Sequence, residues 1–232
     1  MTDRFEHASG LVKDAKRRLG EVKNSYEKSL MEKEVSIDLR IAIKNVLDNL
    51  RSALDYAARE LRERYSPSSG SKGRVYFPIA AKGSDFRSLV GKNIPGLLKK
   101  LPDLLPVLES FQQFSSPSNS WLPDLATLSN ENKHERLTPQ TRTESERVVA
   151  RSQAGTVIWN PSAVRFGSGV HIGGAPVDPK TQLPVPSPQQ TISREIWVAF
   201  NFETITQPVL PFLNKCIAGV ENILETLRSA AK

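Results

Sequence analysis

The chain has 232 residues, of which 38% are hydrophobic and 25% are charged. This length and composition suit a globular chain that buries its own core, and they exclude wholesale disorder and collagen-like polymers. The formal net charge of +7 is compatible with a polyanionic partner. The sequence lacks the dense Lys/Arg stripe of a dedicated duplex-binding protein, so charge alone does not identify that partner.

Cysteine content and hydropathy bear on the compartment. Cys216 is the single cysteine, so the chain forms no intramolecular disulfide and no Cys-rich zinc or iron–sulfur site. Residues 1–10 carry charged side chains where a signal peptide has an apolar run, and no later run approaches membrane-spanning length. We therefore expect a cytoplasmic protein with no membrane partner.

Apolar spacing predicts two long amphipathic helices in the first part of the chain. Residues 8–33 place apolar or aromatic side chains at helical spacing, opposite a charged face. Ser36 can cap a second helix that runs to about Tyr65. Because the break between the two helices is short, we expect them to be antiparallel.

Turn-forming residues and prolines divide the middle of the chain. Residues 66–74 predict a linker, and Pro78 keeps the extended piece that follows, residues 75–79, from forming a central strand. A third helical region at residues 85–114 is interrupted by prolines, which predicts two short helices. A fourth helix is predicted over residues 121–137.

The hydrophobic period changes after the fourth helix. Residues 146–202 are rich in β-branched and aromatic residues and are split by Gly and Pro turns, which predicts a small antiparallel sheet. Residues 207–229 return to helical spacing. The sequence therefore predicts an α+β fold over a single domain, residues 1–232. It comprises a mainly helical bundle of four to five helices at 8–138 and 207–229, with a β insertion at about 146–202 before the C-terminal helix.

The second predicted helix carries a block of short polar residues, which helix interiors normally disfavour. One interpretation is an exposed ladder of alternating charges at i,i+4 spacing. Its members are Arg51, Asp55, Arg59 and Glu63. Another interpretation is a polar row beside the core, which requires partners on another helix or in a ligand. Its members are Asn45, Asn49, Ser52 and Tyr56.

The fourth predicted helix offers the partner for this polar block. Asn130 and His134 lie four residues apart and therefore share one face of the helix. The helix dipole favours the imidazolium form of His134, whereas adjacent Lys133 opposes it. His134 is therefore either a structural residue or a catalytic acid or base, and the sequence leaves both hypotheses open.

Other signatures of chemistry are absent or have a simpler interpretation. The sequence contains no GxxxxGK[ST], HExxH or GxSxG pattern, and we expect neither a cofactor nor a metal. The glycines at 167–169 and 173–174 predict tight hairpins, because no helix follows them to form a phosphate loop. Packing, and not base stacking, is predicted for Tyr76, Trp121, Trp159 and Trp197.

Three segments resemble a family of uncharacterised bacterial and phage-borne proteins. They are Val-Leu-Asp-Asn-Leu-Arg-Ser-Ala-Leu-Asp-Tyr at 46–56, Phe-Pro-Ile at 77–79 and the segment at 128–137 around Asn-Lys-His-Glu-Arg. The family typically reads His-Asn-Leu-Arg-Ser-Ala-Leu-Asp-His, then Phe-Pro-Ile, then Asn-x-x-Lys-His-Arg. This chain departs from that pattern at Asp48 and Tyr56, which stand where the family usually has histidines.

The helical layout of that family is similar to HEPN-type domains, many of which are metal-independent ribonucleases or toxin and defence components. The resemblance implies RNA or a protein as the partner, and it implies a homodimer. The usual Arg-x(4–6)-His signature of such domains is not found on a predicted helix. Arg165 and His171 have this spacing but fall in the predicted hairpins.

Two function hypotheses follow for the polar residues of helices two and four. As a ribonuclease, the chain would use His134 as the general base, Lys133 or Arg51 to stabilise phosphorane charge, and Asn130 to orient the substrate. The candidates for substrate binding are Asn45, Asn49 and Asp55, the last of which would hold Arg51 in place. In the alternative hypothesis, a non-catalytic binding or assembly module, these residues form a structural network between the helices.

Overall fold

The structure is a computed structural model that divides into two compact units, residues 1–141 with 201–232, and residues 142–200. It describes residues 3–32, 35–66, 73–134, 137 and 140–231, with the exception of the side chains of 27–32, 133, 134, 142, 145 and 195–198. The fold class is α+β, as the sequence predicts.

Two antiparallel helices open the first unit, α1 (Arg4–Glu32) and α2 (Ile37–Tyr65). Ser36 caps α2 as predicted, because its hydroxyl accepts a hydrogen bond from the Leu39 amide at 3.2 Å. The antiparallel arrangement follows from the side-chain pairs between the helices. Arg4, at the start of α1, pairs with Glu63 near the end of α2 at 2.9 Å. Asp14, about three turns further along α1, accepts a hydrogen bond from Asn49, which lies earlier in α2.

The third helical region consists of three helices, where the sequence predicted two. They are α3 (Gly83–Asn93), α4 (Leu97–Lys100) and α5 (Leu104–Ser110). Pro95 and Pro102 follow α3 and α4, and a proline stops a preceding helix because it lacks an N–H and clashes with the turn before it. Pro106 lies in the first turn of α5, where that N–H is not needed, and therefore does not interrupt it.

Two further helices complete the first unit, α6 (Trp121–His134) after a 3₁₀ turn at Pro117–Ser120, and α7 (Val209–Ala230). The described residues therefore contain seven α-helices, more than the predicted four to five. The apolar faces of α1, α2, α6 and α7 form the core, and in α2 it includes Leu50, Leu54 and Leu61, each 0% exposed.

The second unit is a small β structure with a core of its own. Strand β1 (Gln140–Ser152) begins earlier than the predicted insertion and pairs with β2 (Gly155–Trp159) in antiparallel register, Val148 opposite Trp159. The remaining strands are β3 (His171–Ile172), β4 (Ala175–Asp178), β5 (Leu183–Pro184), β6 (Gln190–Phe202) and β7 (Gln207–Pro208). β6 neighbours β1, while its last residues pair with β7 inside the first unit. The core cluster of this unit comprises Val148, Ala150, Trp159, Ile172 and Val177.

The predicted hairpin at Gly173 and Gly174 is present between β3 and β4. Both glycines have positive φ, 60° and 87°, as a tight two-residue hairpin turn requires. His171 lies on β3, and Arg165 precedes it in the loop, so this pair does not form a helical Arg-x(4–6)-His signature. Among the described residues, no helix is long and apolar enough to cross a membrane.

Candidate functional site

Helix α2 directs its polar residues to three different neighbours. Asn49 faces α1, where its amide donates a hydrogen bond to Asp14 Oδ2 at 2.8 Å. The same carboxylate accepts hydrogen bonds from Arg18 and Arg17, each at 2.6 Å, and together with Asn49 these lower the pKa of Asp14 from 3.8 to about 2. The partner of Asn49 is therefore on α1, and not on the fourth helix as the sequence suggested.

A side-chain hydrogen bond between α2 and α6 is made by Asp48. Its Oδ1 accepts a hydrogen bond from the hydroxyl of Ser129 at 3.1 Å, and its Oδ2 pairs with Lys44 Nζ at 2.6 Å. Ser129 is 0% exposed, so this contact lies inside the helix packing. Asp48 thus adds a hydrogen bond to the apolar packing between α2 and α6.

Arg51 faces the extended segment that precedes α3. Its Nη2 lies 3.3 Å from Asp55 Oδ1, which also accepts a hydrogen bond from the Phe77 amide at 2.8 Å. The guanidinium carbon of Arg51 lies 6.0 Å from the centre of the Tyr76 ring. Arg51 is only 9% exposed, so the first pair of the predicted exposed ladder is in fact largely buried. Asp55 therefore orients the Arg51 side chain and the backbone of Phe77 at the same time.

Arg51 and Asn130 line the same cavity, which has a volume of about 580 Å³. Arg74 and Tyr76 reach it from the extended segment, and Lys92 reaches it from α3. Among the described residues that line this cavity, hereafter the cleft, three side chains are cationic and none is anionic. The cleft is therefore an anion-attracting surface built from five separate parts of the chain. The apolar part of its wall includes Ile79, Leu89, Pro123 and Ala126.

Two buried amides hold the extended segment in place. Asn93, 8% exposed, accepts a hydrogen bond from the Tyr76 amide at 3.3 Å and donates one to the Leu89 carbonyl at 3.0 Å. Gln112, 0% exposed, accepts a hydrogen bond from the Ala80 amide and donates to the Pro78 carbonyl, both at 3.1 Å. These bonds satisfy backbone groups that no strand partner satisfies, and they fix the position of Tyr76 at the cleft.

The remaining predicted site residues are placed as follows. Asn45 is half-buried on α2, and neither Asn45 nor Asn49 lines the cleft. Lys133 and His134 form the end of α6, one turn beyond Asn130, but their side chains lie outside the described residues. Nothing in the described part of the chain brings three or more His, Cys, Asp or Glu side chains together in a way that could hold a metal ion.

Sequence reasoning missed several cleft residues. Tyr76 was expected in packing, but it is 45% exposed, whereas Trp121 and Trp159 are 6% exposed and packed as predicted. Arg74 and Lys92 were not predicted to belong to a site, because a single exposed cation in a linker or a short helix does not indicate a function by itself. The Phe-Pro-Ile segment could have indicated Tyr76, since it follows Tyr76 directly and its first amide donates a hydrogen bond to Asp55.

Comparisons of the chain with models of known protein families, with curated proteins and with solved structures find no match.

Proposed function

We propose that this chain is a HEPN-like RNA-processing protein of the defence or toxin type that binds RNA in the cleft and cleaves it without a metal. One observation carries the proposal: Arg51 and Asn130, on different helices, line a single cleft together with Arg74 and Lys92. A backbone with one negative charge per nucleotide suits such a surface, because clustered cations supply most of the affinity for nucleic acid. The sequence resembles a family whose helical layout is similar to HEPN-type domains, and this resemblance suggests the reaction class.

The proposed reaction is an attack of a ribose 2′-oxygen on the adjacent phosphorus. His134 removes the 2′-hydroxyl proton, the new O–P bond forms, and the bond to the 5′-oxygen breaks. Arg51 or Lys133 balances the extra negative charge of the phosphorane, and Asn130 orients the phosphate. The departing 5′-oxygen takes a proton from solvent, leaving a 2′,3′-cyclic phosphate and a 5′-hydroxyl. Asn49 takes no part in this proposal, because it faces Asp14 and not the cleft.

The test is cleavage of a mixed RNA pool in EDTA by the wild type and by His134→Ala, each shown to be folded by circular dichroism. His171→Ala is the matched control, since His171 is an exposed histidine of the second unit. We expect cleavage by the wild type and by His171→Ala, with cyclic phosphate ends, and loss of cleavage in His134→Ala. Inactive wild type, or an active His134→Ala, would contradict the proposal.

A specific observation supports the second candidate function, a non-catalytic binding or assembly module. Asp48 and Asn49 both have hydrogen-bond partners on neighbouring helices, the buried Ser129 of α6 and the partly exposed Asp14 of α1. Polar residues that are satisfied in this way can fix the arrangement of the helices without any ligand. Under this hypothesis the wild type leaves RNA intact in the same assay, and Asp48→Ala lowers the stability of the protein.

A further inference from the structure

The guanidinium of Arg51 is incompletely satisfied. The side chain is largely buried, with its Nη2 beside Asp55, yet its Nη1 is buried with no hydrogen-bond partner. A buried donor without an acceptor destabilises the protein, and more so when the donor is charged. Because Arg51 lines the cleft, an anion bound there lies next to this guanidinium, and a small shift of the side chain lets Nη1 donate to it.

We propose that Arg51 and Tyr76 form a subsite for a nucleoside monophosphate, with the phosphate on Arg51 and the base stacked on the Tyr76 ring. The inference rests on the proposed function only in that both use the cleft. It specifies that the cleft recognises one nucleotide of its substrate, and it does not depend on His134 or on cleavage.

The charge of the cleft selects for phosphate. Asp55 offsets the charge of Arg51, so that pair alone would attract an anion weakly. Arg74 and Lys92 add two cations that line the same cleft, and its described lining contains no carboxylate to oppose them. A guanidinium is a planar set of N–H donors that suits the oxygens of a phosphate, and the Nη1 of Arg51 is a donor that has no acceptor among the described residues.

The aromatic and apolar side chains select for a nucleoside. Tyr76 leaves 45% of its surface exposed, while its backbone amide is hydrogen-bonded to the side chain of Asn93. The ring is therefore accessible to a ligand, and its backbone is held in position. A base stacked on such a ring gains affinity with little dependence on its identity. The apolar residues of the cleft wall extend this surface, and the cleft volume of about 580 Å³ falls in the range of small-molecule sites.

The experiment measures binding and not cleavage. Affinities for inorganic phosphate, for adenosine 5′-monophosphate and for a 2′-O-methyl tetranucleotide are determined by calorimetry at constant ionic strength. The tetranucleotide has no free 2′-hydroxyl to attack phosphorus, so binding and chemistry are separated. The variants are Arg51→Met, Tyr76→Ala and Tyr76→Phe, and the control is Lys99→Ala, a change at an exposed lysine of α4 that does not line the cleft.

We expect the monophosphate to bind more tightly than phosphate alone, and Tyr76→Ala to lose about ten-fold of its affinity. Tyr76→Phe and Lys99→Ala should bind like the wild type, because the ring face and the cleft cations are unchanged. Arg51→Met should lose binding of all three probes while remaining folded, since methionine keeps the unbranched apolar stem and removes the charge. If the tetranucleotide binds more tightly than the monophosphate, the bound nucleotide belongs to an RNA strand. If the two affinities are equal, the ligand is a free nucleotide.

The subsite would be overturned by wild-type protein that binds neither nucleotide probe, or by nucleotide binding that Arg51→Met and Tyr76→Ala leave unchanged. The results that would contradict the proposed function differ from those that would contradict the subsite. Nucleotide binding without RNA cleavage would retain the subsite and remove the ribonuclease. Cleavage that depends on His134 but is insensitive to Arg51 and Tyr76 would retain the ribonuclease and remove the subsite.

Discussion

At the scale of single residues, Asp55 connects the stability of the protein to the shape of the cleft. Its Oδ1 lies 3.3 Å from Arg51 Nη2 and accepts the Phe77 amide at 2.8 Å. We predict that Asp55→Ala lowers the free energy of unfolding by about 2 kcal/mol, because it leaves a buried cation and a backbone N–H without this acceptor. Urea denaturation measures the change. Asp55→Asn keeps an acceptor and should lose less, and an equal loss in both variants would contradict this explanation.

Asp14 makes part of the stability depend on pH. Its pKa falls from 3.8 to about 2 in the folded protein through hydrogen bonds from Arg18, Arg17 and Asn49. The folded state therefore holds this proton less strongly, so the stabilisation is complete above about pH 4 and is lost as the pH falls towards 2.

We predict that Asp14→Asn lowers stability at pH 7 by less than about 1 kcal/mol, because the site is partly exposed and solvent screens its charges. The same variant should lose less stability than the wild type between pH 4 and pH 2. Thermal unfolding at a series of pH values measures both effects. Parallel stability curves for the two proteins over that interval would show that Asp14 is not the group responsible.

At the scale of secondary-structure elements, α6 and α7 approach each other at Gly219. A Cβ added to Gly219 would lie 2.3 Å from the Trp121 ring, which is closer than any contact allows. We predict that Gly219→Ala destabilises the protein by about 1–3 kcal/mol through overpacking. Gly10→Ala in α1 is the matched control, since a Cβ there meets nothing within 4 Å. That variant should gain up to about 1 kcal/mol from helix propensity.

The denaturation midpoints of the two glycine variants decide between these effects. A rise in the midpoint for Gly219→Ala would mean that α6 and α7 do not pack closely at Trp121.

The long helices were predictable because their apolar period extends over many turns. The start of β1 was not, since residues 140–147 contain no apolar run and pair through their backbone. The three helices of the third region follow from where each proline falls relative to a helix end, which composition alone does not specify.

The candidate site was predictable only in part, because it depends on contacts between segments that are distant in the sequence. Arg51 and Asn130 could be selected from their unusual helical context, but their shared cleft depends on how α2 and α6 pack. Tyr76 and Lys92 join that cleft from two further segments, held by hydrogen bonds of Asn93 that no local pattern shows.

At the scale of the whole molecule, the β unit is an insertion between two parts of the helical unit. The chain enters it along β1 and leaves it along the neighbouring β6, where Thr143 Oγ1 lies 3.1 Å from the Ala199 carbonyl. We predict that replacing residues 142–200 with a short Gly/Ser linker leaves a folded helical protein, because both units have their own cores. Cooperative unfolding followed by circular dichroism at 222 nm tests this. A non-cooperative transition would contradict it.

The measurement that tests the account most directly is the affinity for single-stranded RNA of two double variants with the same change in charge. Arg74→Ala/Lys92→Ala removes two cations that line the cleft, and Lys99→Ala/Lys100→Ala removes two exposed lysines of α4 that do not. We predict that the first variant weakens binding about ten-fold or more and lowers the salt dependence by about two charges, while the second binds nearly as well as the wild type. Equal weakening in both variants would mean that the cleft is not the RNA site and that only net charge attracts the RNA.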